Sequence, residues 1–412
     1  MYSHELKSVV INLSGVEATD CNDPAMQRHA GGGGGVLTPP RHQARRGSNS
    51  VPEARLHRLA VCAALALLAG CAAGPELAEL QRAPSPHLAP LAPPGITDAR
   101  AAFRYRFCKA GKRHAAGGET TSCGNWLHRL EDEPALERDP LPAGKIPLDV
   151  FIVTGAFSEC FGDSARPFQS SIPRLDDEDY RFDTVVVGGR SGTSHNASQI
   201  AAHLEKRPPT GDRPTVMIGY SKGTNDILQF LTDYPEYAAR IDAVVSVAGA
   251  VYGSPLADRF DGLYEILFSH LPMNRCDKGD NGVVHSLRTD VRRQWLNENE
   301  LPDHIRYYSL AAFTTRHRLS RALVPTWEML LKENRRNDGQ LLPADALIPG
   351  STLLGYLNAD HWAVAMEIEK ELDFWGHRKY PAAFPHAVLL AAILDHVSDD
   401  IEAVSNGISP SS

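Results

Sequence analysis

A serine hydroxyl attacks a carbonyl only when a base takes its proton and a carboxylate steadies that base, so three residue types in the right loops would define the chemistry. The pentapeptide Gly219, Tyr220, Ser221, Lys222, Gly223 offers the serine. Before it, Pro214, Thr215, Val216, Met217 and Ile218 read as a short buried strand; after it, Ile227, Leu228, Phe230 and Leu231 fall at helical spacing. Ser221 is therefore expected on a strand-to-helix turn, with Oγ exposed and the backbone strained. Gly219 and Gly223 are expected where strand and helix come too close for a Cβ.

The partners are sought later in the chain, in the order serine, acid, histidine. Of 17 histidines, His361 follows the apolar stretch Leu353–Leu357, a strand end, in a loop near the C-terminal end of the chain. His377 and His386 are the runners-up, and His396 falls within a C-terminal helix. For the acid, Asp338 stands in Asn337, Asp338, Gly339, a loop ahead of that last strand; the same three residues also read simply as a turn. Asp345 is the alternative acid, and Asp360 is too near His361 in sequence to reach its ring usefully. An oxyanion would need two backbone amides, one from Lys222 after the serine and one from Thr154, Gly155, Ala156, Phe157 after the first core strand. Ala156 is the choice there, with Phe157 as alternative.

These residues need elements to hold them. Apolar runs at Val150–Val153, Thr184–Val187, Thr215–Ile218, Ala243–Val247 and Ile305–Leu310 read as strands, alternating with helical segments such as Ser198–Leu204 and Asp226–Leu231. That alternation gives an α/β fold whose mostly parallel central sheet is covered by helices on both faces, over residues 148–405. Residues 257–300 interrupt the rhythm. Tyr264, Ile266, Leu267, Phe268 and Leu271 make their first part apolar, which fits a lid over the site or an ordinary packed helix. Arg190–Asn196 reads as a polar loop that lines the cleft or caps the next helix through Asn196 or Ser198. Lys222 and Asp226 are spaced to pair across one helical turn, with no chemistry assigned to Asp226.

Taken together, the motifs resemble the bacterial lipase and esterase members of the α/β-hydrolase superfamily. GYSKG is similar to their nucleophile elbow, Val247–Asp258 to the segment after the next strand, Asn337–Gly339 to their acid loop and Asn358–Trp362 to their histidine loop. The likeness covers roughly residues 148–400. It implies a serine hydrolase that cleaves carboxylic esters, lipids among them, through Ser221, His361 and Asp338 and an acyl-enzyme, without metal or organic cofactor. An acyltransferase or thioesterase with the same three residues is one alternative, and a noncatalytic envelope lipoprotein using the fold as a binding scaffold is another. The chain departs from such lipases in two places: Thr154 stands where His commonly precedes Gly, and no Asp follows two residues after His361, so calcium is not implied.

The rest of the chain speaks to location. Its 412 residues carry 42 basic and 50 acidic side chains, a formal charge of −8, with no concentrated basic block, so nucleic acid is not an expected partner. Residues 1–50, with the run Gly31–Gly35 and basic Arg41–Arg46, have the composition of disorder, and translation is expected to begin at or near Val51. Arg55, His57 and Arg58, the apolar Leu59–Leu68, and then Leu68, Ala69, Gly70, Cys71 make residues 51–71 resemble a lipoprotein signal peptide ending in a lipobox. Cys71 would then carry lipid and tie the protein to the membrane of a bacterial envelope. Ala72 favours the outer membrane, facing the periplasm or the exterior. Residues 72–100, rich in Ala and Pro, read as an extended tether, and 101–147 as an N-terminal extension with a cysteine pair. Of seven cysteines, Cys108, Cys123, Cys160 and Cys276 remain for disulfides in an oxidising compartment. Cys108 with Cys123 and Cys160 with Cys276 is the favoured pairing among three, and free buried thiols are the alternative.

Overall fold

Strands covered on both faces read as near-continuous apolar runs, and Leu148–Val153, Thr215–Tyr220 and Ala243–Val247 are such runs with every residue buried. In the computed structural model, which describes residues 77–82, 95–114, 123–136, 146–175, 179–259, 277–366 and 384–405, they form the middle of an eight-stranded sheet. The strands are β1 (Thr97–Asp98), β2 (Leu127–His128), β3 (Leu148–Val153), β4 (Tyr180–Val185), β5 (Thr215–Tyr220), β6 (Ala243–Val247), β7 (Arg306–Ala312) and β8 (Thr352–Leu357). Their order is β1-β8-β7-β6-β5-β3-β4, all parallel, with β2 antiparallel on β8. The helices are α1 (Leu77–Arg82), α2 (Arg100–His114), α3 (Ile172–Leu175), α4 (Thr193–Lys206), α5 (Lys222–Asp233), α6 (Pro235–Ala238), α7 (Pro255–Arg259), α8 (Val283–Ser286), α9 (Thr289–Glu298), α10 (Val324–Leu330) and α11 (His386–Ser405).

Period-2 alternation sorts the sheet's side chains between two cores. Val150, Ile152, Val216 and Ile218 point to the face covered by α2 and α11, where Phe103, Phe107, Leu390 and Ile393 are buried. Phe151, Val153 and Met217 point to the other face, where Ile200 and Leu204 of α4 and Ile227 and Leu231 of α5 are buried. The chain runs outward from β3 to β4 and then back across β3 to β5. Between β3 and β5 the strand order therefore reverses, and there the carboxyl ends of parallel strands leave a crevice.

The elements depart from the sequence expectations in several places. The second core strand starts at Tyr180 and stops at Val185, and Val186 beyond it is exposed. This strand lies at the end of the sheet, where Arg181 and Asp183 are tolerated, so it lacks the unbroken apolar run of a central strand. The stretch 72–100 is not an extended tether throughout. Leu80 on α1 is buried with Phe313 and Tyr356, and β1 adds a parallel pair to β8 through Thr97 and Thr352. Leu80, whose carbonyl also accepts from Arg336, and the two paired residues of β1 are among the contacts that dock the described parts of a stretch that Ala and Pro make look like a linker. Residues 101–147 supply α2 and β2, and Cys108 and Cys123 are bonded with their Cα atoms 5.3 Å apart. Cys160 is disulfide-bonded as well. Its expected partner Cys276 lies outside the described residues, as do residues 1–71 with Cys71, and Tyr264, Ile266, Leu267, Phe268, Leu271 and His377.

Candidate functional site

The β5–α5 junction is as tight as the glycines imply. A Cβ on Gly219 would lie 2.5 Å from Thr224 Cα, and one on Gly223 would lie 2.5 Å from the Thr154 carbonyl oxygen. Ser221 between them sits at φ 54°, ψ −129°, a conformation that costs a non-glycine residue about 1–3 kcal/mol. Its backbone is tied on both sides to the neighbouring strand end: Ser221 N–H donates to the Val247 carbonyl at 3.1 Å, and Ala250 N–H donates to the Ser221 carbonyl at 3.2 Å. The hydroxyl is thus held above the crevice.

His361 and Asp338 meet it there. Ser221 Oγ is 2.8 Å from His361 Nε2, and His361 Nδ1 is 2.7 Å from Asp338 Oδ2. This network assigns the tautomer with the proton on Nδ1, leaving Nε2 to accept from the serine. Asp338 and His361 are both buried, and the other carboxylate oxygen of Asp338 accepts from Gln340 N–H at 2.8 Å and Leu341 N–H at 2.7 Å. His361 N–H donates in turn to the Asp338 carbonyl at 2.8 Å. The turn reading of Asn337–Gly339 and the acid reading describe the same loop, since Asn337 Oδ1 accepts from Gly339 N–H at 3.0 Å and the turn presents the carboxylate.

The alternatives fall elsewhere. Asp345 lies in a short 3-10 turn, and burial pushes its carboxyl up to about 7. Asp360 does not face the imidazole. One of its oxygens accepts from Ser320 N–H at 2.5 Å and Ser320 Oγ at 2.7 Å, and the other from the amides of Trp362 and Ala363, so it anchors the histidine loop. His386 Nε2 donates to the Ala363 carbonyl at 2.8 Å, a second anchor of that loop, and His396 is buried in α11 beside Phe103 and Tyr308.

The loop after β3 comes close to the serine, since a Cβ on Gly155 would lie 3.1 Å from Ser221 Cβ. Phe157 N–H is spent on the Gly189 carbonyl at 3.0 Å, which removes it as an oxyanion donor. Among the described residues, the Ala156 and Lys222 amides have no protein acceptor. Thr154, the departure noted from the lipase pattern, pins this loop to the segment after β4: its Oγ1 accepts from Val187 N–H at 3.3 Å.

Two contacts at the site, those of Tyr220 and Asn196, were not expected from the sequence, whereas the Lys222–Asp226 pair was. The Tyr220 hydroxyl donates to the His361 carbonyl at 2.7 Å, its ring 5.5 Å from the imidazole, and burial followed by the nearby Asp338 and Asp360 charges keeps the phenol protonated. Lys222 and Asp226 do pair, at 2.5 Å, with both side chains fully buried. Asn196 does not cap α4: Gly192 is its N-cap residue, and the Asn196 amide bonds Asp226 and the Gly188 carbonyl instead. The GYSKG motif itself signals Tyr220, whereas nothing local signals Asn196. Among the described residues, no group of three or more His, Cys, Asp or Glu is arranged to hold a metal ion.

Among solved structures, the chain is similar to the metagenomic carboxyl esterase MGS0156, with 35% identity and a TM-score of 0.66 over 79% of this chain and 100% of that one. The mature lipase BlEst2 of Bacillus licheniformis is more distant, at 20% identity and a TM-score of 0.44 over 60% of this chain and 96% of that one. No protein-family model and no curated protein matches the sequence. With a parallel sheet of this order, a serine on its central strand-to-helix turn and a full-length esterase relative, the chain belongs to the α/β-hydrolase superfamily.

Proposed function

We propose that the protein is a serine hydrolase that cleaves carboxylic esters through an acyl-enzyme. The observation that carries this reading is the unbroken set of hydrogen bonds from Ser221 Oγ through His361 to Asp338, starting at a strained turn. Ser221 Oγ attacks the ester carbonyl while its proton passes to His361 Nε2, and Asp338 stabilises the imidazolium. The amides of Lys222 and Ala156 donate to the oxyanion of the tetrahedral intermediate, each such donor contributing about 3 kcal/mol to transition-state stabilisation. The intermediate collapses as His361 returns the proton to the departing alcohol. Water then repeats the sequence on the acyl-enzyme and releases the acid. No step calls on a metal or an organic cofactor.

The reading extends to location: an exported protein held by lipid on Cys71. The Cys108–Cys123 bond supports an oxidising compartment. The test is fluorophosphonate labelling of the full chain in membranes, wild type against Ser221→Ala and Cys71→Ser. Labelling is expected to disappear in Ser221→Ala and to move from the membrane to the soluble fraction in Cys71→Ser. A folded wild type that does not label defeats the hydrolase reading, and a Cys71→Ser chain that stays with the membrane defeats the anchor.

A further inference from the structure

Beneath the oxyanion site lies a buried polar chain that the proposed reaction does not use. Lys222 donates its backbone amide to the site, but its side chain turns inward: Nζ donates to Asp226 Oδ1 at 2.5 Å, with the two side chains 1% and 0% exposed. The other carboxylate oxygen of Asp226 accepts from Asn196 Nδ2 at 2.8 Å, and the same Nδ2 donates to the Gly188 carbonyl at 3.1 Å. The next residue, Gly189, accepts from Phe157 N–H at 3.0 Å and donates to Glu159 Oε1 at 3.1 Å. Phe157 follows Ala156, whose amide is the second oxyanion donor. Gly188 is itself held through its N–H by Gln199 Oε1 at 2.7 Å. A continuous path of short polar contacts and peptide units thus links the two amides of the oxyanion hole from behind, through α5, α4 and the loop after β4.

A buried ion pair is a poor source of stability, because desolvation offsets its attraction and an apolar pair of similar volume often does as well or better. What an apolar pair cannot supply is direction. Within α5 the Lys222 bond holds the Asp226 carboxylate in one orientation, and the Asn196 bond from α4 to that carboxylate then fixes the rotation of α5's first turn, and with it the aim of the Lys222 amide, relative to the loop that carries Ala156. An oxyanion hole works only when both donors are fixed before charge develops.

We propose that Asp226, Asn196 and the Lys222 side chain are positioning residues that hold the two oxyanion-hole amides in mutual register, a role that rests on the hydrolase reading above. The test uses full-chain variants, Lys222→Met with Asp226→Leu as an apolar pair, and Asn196→Ala alone. For each, kcat and KM on a p-nitrophenyl ester, affinity for a trifluoromethyl ketone that forms a tetrahedral adduct on Ser221, and the thermal midpoint are measured. The double variant is expected to fold, with kcat down at least tenfold, KM within threefold of wild type and ketone affinity falling in step with kcat. Asn196→Ala is expected to move the same quantities by three- to tenfold. A folded double variant whose kcat and ketone affinity stay within twofold of wild type overturns the proposal; should the double variant fail to fold, Asn196→Ala within twofold overturns it. Wild-type labelling by a fluorophosphonate, run alongside, separates the two failures: an unlabelled wild type fails the hydrolase reading, whereas a labelled wild type matched by its variants fails the brace alone.

Discussion

Residues 215–233 place Ser221 with one strand, one turn and one helix, whereas Asp338 lies between α10 and β8 and His361 just after β8, both held largely by segments far away in sequence. The first arrangement is local and strained, its geometry enforced by close contact between β5, α5 and the end of β3. The second is assembled. Asn358, just ahead of His361, donates to the Asn125 carbonyl at 3.0 Å and through its N–H to the Trp126 carbonyl at 2.9 Å. Its Oδ1 accepts from Thr314 Oγ1 at 2.9 Å, while Thr314 N–H donates to the Asn337 carbonyl at 3.2 Å. Arg336, two residues before Asp338, donates from Nε to the Leu80 carbonyl of α1 at 3.0 Å. In the proposed reaction the serine is set by a strained backbone, whereas the imidazole and its carboxylate need correct aim, which contacts to Leu80, Asn125 and Trp126 supply.

The sharpest way to separate the two regions is to change the electrostatics of one and leave its geometry alone. Asp338→Asn keeps an acceptor for the Gln340 and Leu341 amides but presents the imidazole with the wrong partner. The expected result is a fall in kcat of about 10³–10⁴-fold with the thermal midpoint little changed. A loss of less than tenfold would mean that His361 is steadied by another group.

A second test weakens the scaffold of the assembled region and spares the local one. The Cys108–Cys123 bond ties α2 to the segment that carries Asn125 and Trp126, closing a separation of 15 residues. Replacing both cysteines by serine is expected to cost about 3 kcal/mol, read as a drop of roughly 4–6 °C in thermal midpoint for a chain of this size. The surviving folded fraction should show a reduced kcat because the histidine loop loses its floor. A midpoint and kcat equal to wild type would show that residues 123–128 are passengers rather than supports.

The same contrast decides what could be read from the chain alone. GYSKG, its apolar strand and its helix are contiguous, so the elbow's strain and both close-approach glycines were legible from spacing. Asn337–Gly339 and His361 were legible through chain order, because loops at the carboxyl ends of successive parallel strands must come together. The supports were not. Leu80 sits in an Ala- and Pro-rich stretch whose composition says linker, β1 and β2 are two residues each, and a two-residue strand has no periodicity to detect. Asn196 looks like any polar residue near a helix start, and its partner Asp226 is distant in sequence on another helix. Burial of a single polar side chain against another element leaves no local trace in sequence.

The smallest expected effect lies on a bond that joins the two regions beside the one from Ser221 to His361. Tyr220 belongs to the elbow, yet its hydroxyl donates to the carbonyl of His361, 2.7 Å away in a buried setting. Tyr220→Phe removes that donor and leaves the ring beside the imidazole. A net hydrogen bond is worth about 0.5–1.5 kcal/mol, so kcat should fall roughly two- to tenfold. KM should hold, because the phenol faces the protein and not the substrate. If the local and assembled regions were independent, the loss would appear in thermal midpoint alone and the rate of fluorophosphonate labelling would be unchanged. A slower labelling rate in a variant of unchanged midpoint would show instead that the elbow steers the histidine loop as well as presenting the serine.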